Sequence, residues 1–236
     1  MIISILIPTC KEFGKLTDLI REVEETSTGN YEIVWTCQKS SASDNRNIAL
    51  DKASGDMIVM IDDDMTGFYK GWNEELIKPL LEDTSIMLVS ARLLDKEGKP
   101  GQTSSDCFSL DPDIIDVPRT PTATIAFWNN DLRFDTKYIG SGFEDTDWAF
   151  QMEVTFDKRI VINNQVRLIH LNDMKFQREN FQKNRRVFET KWVDRLNSGN
   201  KPKWCRVNPA GLYNSYCSFY GKEQEACSKC RFYRRV

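Results

Sequence analysis

Histidine is almost absent: the 236-residue chain has one, His170. No run of eighteen apolar residues occurs, so no segment reads as a membrane-crossing helix. Met1 to Pro8 is too short for a secretory leader and lacks its basic start and cleavage region, so the expectation is a soluble, unexported, cytoplasmic protein. There is no internal repeat or low-complexity stretch. A glycine-rich phosphate loop is also missing, since the first apolar run closes in Pro8-Thr9-Cys10-Lys11; that argues against a nucleotidyltransferase, which usually grips phosphates there.

Cysteine is sparse until the end. Cys10, Cys37 and Cys107 stand singly and read as reduced core residues, whereas Cys205, Cys217, Cys227 and Cys230 crowd into the last 32 positions. In an unexported chain that crowding favours a structural Zn2+ over disulfides. Only Cys227 and Cys230 form a tight knuckle, however, and zinc sites usually show tight pairs on both sides, so free thiols and disulfides stay open beside zinc.

The net charge of −3 hides an asymmetry: residues 175–236 carry 15 Lys/Arg against 5 Asp/Glu, which leaves a balance of −13 for residues 1–174. A basic tail interleaved with Trp204, Tyr213, Tyr216, Phe219 and Tyr220 suits an anionic surface or a nucleic acid, and equally suits packing of a small tail on a main domain. The competing reading from another class is therefore a nucleic-acid or anionic-surface binding module.

Taken in order, the chain alternates. Ile2 to Ile7 reads as a strand, Lys11 to Thr26 as a helix, Tyr31 to Thr36 as a strand, a helix capped by Ser43-Asp44 runs to Ala53, and Met57 to Ile61 is a third strand. Such alternation gives a parallel sheet of the nucleotide-binding kind. Beyond it come a helix over Trp72 to Glu82 with Pro79 as kink or end, a strand over Ser85 to Arg92, and a long loop from Pro100 to Pro121 suited to acceptor recognition or a lid. A strand over Thr122 to Trp128, a helix ending at Phe156, two short strands over Val161-Ile162 and Val166 to Leu171, and an amphipathic helix over Asn180 to Leu196 complete the pattern.

Chemistry concentrates where Met57 to Ile61 ends in Asp62-Asp63-Asp64. Alone, three acids are also what a solvated loop looks like. At the carboxyl end of a buried strand, where open α/β sheets bind ligands, they repel one another unless a cation lies between them. A carboxylate with an imidazole suits manganese better than magnesium, which pairs Asp64 with His170. Gly140 to Asp147 then supplies a tight turn and acids opening a helix; Asp145 is placed as general base on an acceptor hydroxyl, with Glu144 holding a neighbouring hydroxyl.

Four stretches, in this order, resemble the GT-A glycosyltransferases of the inverting family 2 group, with features of the related galactosyltransferases. They are Ser4 to Thr9; Arg46-Asn47 with Ala53 to Asp56 leading into Asp62-Asp63-Asp64; Arg133-Phe134-Asp135 with Gly140 to Asp147; and Val166 to His170. The resemblance spans about residues 1–195 and implies an α/β GT-A fold with a mainly parallel central sheet flanked by helices. It divides the chain into a GT-A domain over 1–175 and a basic C-terminal helix with a cysteine-rich tail packed on it over 176–236. It implies that Pro8 and Thr9 border the nucleotide, that Arg46 lies near its base or diphosphate, and that Asp62 and Asp63 face ribose and sugar. Asp64 and His170 become metal ligands and Asp145 the base. Where many family 2 members hold uracil with an acidic pair, this chain has Thr36-Cys37-Gln38-Lys39, and Gln38 takes that place by donating and accepting hydrogen bonds. The expected activity is metal-dependent, inverting transfer of a sugar from a nucleoside diphosphate, UDP foremost, with Mn2+ or Mg2+. The acceptor is a hydroxyl on a saccharide, lipid-linked saccharide, protein or modified nucleic acid.

Overall fold

The structure, a computed structural model of the chain, describes residues 1–10, 16–38, 40–101, 110–117, 119–171 and 178–197. The expectations for Cys107, Cys205, Cys217, Cys227, Cys230 and the part of the basic tail beyond residue 197 lie outside these residues.

Strand β1 (Ile3–Thr9) is followed by α1 (Thr17–Thr26), β2 (Tyr31–Cys37), α2 (Ala42–Lys52), β3 (Met57–Ile61) and the two-residue β4 (Met65–Thr66). Next come α3 (Trp72–Glu82), β5 (Ile86–Leu94), β6 (Ile114–Val117), β7 (Thr124–Trp128), α4 (Glu144–Phe156), β8 (Arg159–His170) and α5 (Arg178–Asn197). One sheet joins the strands in the order β2-β1-β3-β7-β5-β8-β4, with β6 also paired to β8. Strands β1, β2, β3, β5 and β8 run one way, and β7, β4 and β6 run against them.

Side-chain alternation along the central strands builds two cores. Ile5, Ile7, Met57, Val59 and Ile61 face one side, where Leu19 and Val23 of α1 and Leu76, Ile77 and Leu80 of α3 cover them. Leu6, Ile58 and Met60 face the other, under Ala49 and Leu50 of α2 and Trp148, Ala149 and Met152 of α4. A sheet covered on both faces explains why β1 and β3 are continuous apolar runs. A third cluster, Tyr138, Phe143, Phe150, Phe188 and Trp192, fastens α5 to α4.

Several expectations need correction. The helix cap at α2 is Ser41 rather than Ser43: its hydroxyl accepts from the Asp44 amide at 3.1 Å, while Asp44 takes the Ser40 and Ser41 hydroxyls, which hold its carboxyl below the usual range. The two short strands over 161–171 are one, β8, whose pairing with β5 shifts register between Ala91 and Arg92. The loop from Pro100 to Pro121 contains β6. Cys10 and Cys37 are exposed rather than in the core, because they lie where β1 and β2 run out of the sheet.

Pro79 neither ends nor breaks α3. Its missing N–H leaves the Glu75 carbonyl without a helical partner, and the side-chain amide of buried Asn163, on β8, donates to that oxygen at 3.0 Å. A polar residue in mid-strand thus closes the gap opened by a proline in the helix above it.

Candidate active site at the carboxyl edge of the sheet

Because β1, β2, β3 and β8 are parallel, Thr9, Gln38, Asp62 and His170 arrive at the same edge of the sheet. The Asp62 amide donates to the Ala123 carbonyl at 2.8 Å, which carries the chain past the end of β3 before it turns. The turn returns as β4, where Met65 pairs with His170 and the Leu171 amide donates to the Asp64 carbonyl at 2.9 Å. Asp64 and His170, 106 positions apart in the sequence, therefore meet, with Nε2 3.2 Å from Oδ1. Asp62 joins them: one donor atom from each of the three residues lies within 4.8 Å of the others.

Two carboxylate oxygens and one imidazole nitrogen form a suitable donor set for a divalent ion. Donors on opposite sides of an ion at about 2.1 Å lie about 4.2 Å apart, so the cluster closes round one with only a small contraction. Asp64 is buried and His170 and Asp62 are partly open. This leaves room for oxygen ligands from outside the protein. A half-open cleft of about 150 Å3, walled by Leu94, Asp95, Lys96, Glu97, Gly101, His170 and Leu171, adjoins the imidazole.

Asp63 turns the other way and accepts from the Thr9 hydroxyl, linking the ends of β1 and β3. Exposed Gln38 is held at the end of β2 through its backbone: its amide donates to the Thr9 carbonyl at 3.2 Å, and its carbonyl accepts from Asn45 Nδ2 at 3.1 Å. Pro8 is buried within β1.

The second half of the site comes from α2 and α4. Arg46, buried on α2, donates from Nη1 to Glu144 Oε1 at 2.8 Å and from Nη2 to Asp62 Oδ1 at 3.1 Å. Its guanidinium carbon stands 5.4 Å from the centre of the Phe134 ring. Phe134 is itself fixed by Asn47, whose amide exchanges hydrogen bonds of 2.8 and 2.9 Å with its backbone. Burial works against the charge on Arg46, but the carboxylates of Asp62 and Glu144 outweigh it. Glu144 is pushed up by burial, with Arg46 pulling the other way, and its second oxygen accepts from the Gly142 amide. A role for Glu144 on an outside hydroxyl therefore has to share the residue with Arg46 and its own turn.

Asp145, beside it at the start of α4, is partly exposed. Its Oδ1 accepts from the Thr146 amide at 2.6 Å and from the Thr146 hydroxyl at 3.2 Å, while Oδ2 has no hydrogen bond among the described residues. Phe143 precedes the acids at φ 71°, an uncommon left-handed residue that α5 supports through Phe181 and Phe188.

Sequence reasoning missed the residues that hold this turn. Buried Asn184 of α5 accepts from the Ile139 amide at 2.8 Å and donates to the carbonyls of Ile139 and Gly142 at 2.9 and 2.8 Å. Asp147, fully buried, takes Lys191 Nζ at 2.8 Å and Trp192 Nε1 at 2.7 Å, and Lys191 also reaches Asp135 at 2.9 Å. Burial raises Asp147 in spite of those donors; Asp135, less enclosed, is held low by Lys191 although burial opposes it. A periodic apolar stripe marks α5 as a helix, but nothing in its spacing names its partner.

No family model matches the chain, and no curated protein matches it. Solved structures do match in shape. The chain is similar to GalNAc-T7 in a crystal structure with UDP, GalNAc and Mn2+, at a TM-score of 0.58 and 10% identity, over 98% of this chain and 58% of that one. It is similar to S. aureus TarS at 0.64 and 14%, over 98% of this chain and 44% of that one. A third likeness, at 0.63 and 14%, is to TarS 1-349 in complex with UDP-GlcNAc, over 97% of this chain and 76% of that one. The chain thus spans about half the length of the first two. The fold is that of the GT-A glycosyltransferases. Among the described residues no helix is long and apolar enough to cross a membrane.

Proposed function

We propose that the chain is a metal-dependent, inverting glycosyltransferase, family 2-like, moving a sugar from a nucleoside diphosphate, UDP foremost, to a hydroxyl acceptor. The observation that carries this reading is the meeting of Asp62, Asp64 and His170 at the carboxyl edge of the sheet, in a fold shared with proteins crystallised with UDP, UDP-GlcNAc and Mn2+. Asp64, His170 and Asp62 hold the cation, and Thr9, Gln38 and Asp63 border the nucleotide. When bound, a divalent cation there neutralises the charge that builds on the departing diphosphate. Arg46 keeps Asp62 oriented and compensates buried Glu144. Asp145 takes the proton from the acceptor hydroxyl through Oδ2 while the acceptor oxygen attacks the anomeric carbon from the face opposite the leaving oxygen. One C–O bond forms and one breaks, so the configuration inverts.

The test is release of nucleoside diphosphate from a panel of sugar nucleotides with Mn2+ present or chelated. Metal-dependent release by the wild type that is lost in Asp64→Asn is the expected result. Equal release with and without metal, or no release from any sugar nucleotide while the chain binds nucleic acid in a salt-sensitive way, overturns the reading.

A further inference from the structure

We infer that Glu22, in the middle of α1 and remote in sequence from every acid of the site, is a positioning residue that sets the affinity of the sheet edge for its cation. The inference rests on Asp62, Asp64 and His170 being a cation site.

His170 is held against Asp64 by very little backbone. Strand β4 has two residues, lies at the rim of the sheet and, among the described residues, pairs with the end of β8 alone, through Met65 opposite His170, Thr66 opposite Ile169 and the Leu171 amide on the Asp64 carbonyl. A pairing that short does not hold itself in water. The chain then turns through Gly67 at φ 83°. The carboxylate of Glu22 grips that turn. Its Oε1 accepts from the Gly67 amide at 2.8 Å and the Phe68 amide at 2.9 Å, and its Oε2 accepts from the Thr66 hydroxyl at 3.0 Å. Three hydrogen bonds thus converge on one side chain from consecutive residues, so the turn is held as a unit. Phe68, once placed, packs on Trp72 at 4.7 Å between ring centres. The path from Glu22 to the cation site is therefore short: α1 fixes residues 66–68, these fix β4, and β4 sets the register that brings the imidazole to Asp64.

The experiment compares wild type with E22A and E22Q. Mn2+ affinity is measured without donor, by the loss of the free-ion electron-spin resonance signal, alongside hydrogen exchange at Gly67, Phe68 and Leu171. E22A is expected to bind Mn2+ about tenfold more weakly, the lower end of the range for partners that orient metal ligands. Its amides at 67, 68 and 171 exchange faster, and kcat at saturating Mn2+ stays near wild type. E22Q stays close to wild type in all three, because the amide oxygen still accepts both backbone N–H groups and Nε2 donates to Thr66 Oγ1. Mn2+ bound equally well by wild type and E22A overturns the role of Glu22. So does an equal loss in E22Q, which would make the carboxylate's field rather than its grip the cause. A wild-type chain that takes up no Mn2+ removes the cation reading itself, and this inference with it.

Discussion

Arg46 and Glu144 stand 98 residues apart in the chain and 2.8 Å apart in space, both buried, with Asp62 at the second guanidinium nitrogen. Removing one member of such a pair leaves the other as an uncompensated charge, which typically costs about 3–5 kcal/mol. Arg46→Met is therefore expected to lower the urea midpoint strongly. The pH dependence has a definite sign. Glu144 is raised above its ordinary value of 4.5 by burial, so the folded chain binds that proton more tightly than the unfolded one, and stability falls as pH rises from the ordinary carboxylate range through the raised value. Without Arg46 the largest pull against that upward push is gone. Denaturation at pH 5 and pH 8 should show a larger gap between variant and wild type at pH 8; a constant gap would contradict the assignment.

Asp145 and Glu144 are neighbours with opposite circumstances. Glu144 is engaged on both oxygens, whereas partly exposed Asp145 has no hydrogen bond on Oδ2 among the described residues. Asp145→Asn keeps the bonds from Thr146, since the amide oxygen accepts them. It is expected to bind Mn2+ and donor as wild type does and to lose at least about a hundredfold in kcat, the usual scale for a general base. Near-normal turnover in this variant would move the base elsewhere.

The elements legible in the sequence are those whose ends are local. Strand β3 spans Met57–Ile61, α3 Trp72–Glu82 and α4 ends at Phe156, all as the sequence predicts, because an apolar period meets glycine, acids or a change of pattern at each boundary. Strand β4 was invisible because two residues carry no period and their partners, His170 and Ile169, lie 105 and 103 residues away. Strand β8 read as two strands because Asn163, Asn164 and Gln165 interrupt its apolar run; Asn163 and Asn164 are buried there to serve Glu75, Arg92 and Pro112. The site divides in the same way. Its acids and its one histidine announce themselves by type, but the Arg46–Glu144 pair and the grip of Glu22 on residues 66–68 are contacts between residues that are ordinary in their local context.

Asn184 gives the most direct test of how α5 serves the site. Its amide satisfies the Ile139 N–H and the carbonyls of Ile139 and Gly142 in a buried setting, and the chain it holds leads through Phe143 straight into Glu144 and Asp145. Asn184→Leu keeps the volume but strands three backbone groups. Each such group costs about 1–3 kcal/mol when it stays buried, so the loop should instead shift to find water and carry the acids with it. The expected result is a fall in kcat larger than the fall in Mn2+ affinity, since Asp62, Asp64 and His170 hang on other elements. Asn184→Asp sharpens the test. The acceptor edge toward Ile139 N–H survives, but an ionised carboxylate would face two carbonyl oxygens, and only its protonated form can donate to one of them. Burial raises that carboxyl, so the Asp variant should recover stability and activity relative to Asn184→Leu as pH falls toward the ordinary carboxylate range and lose them as pH rises. A pH profile for Asn184→Asp parallel to that of wild type would mean that the 139–142 turn holds its shape without the clamp.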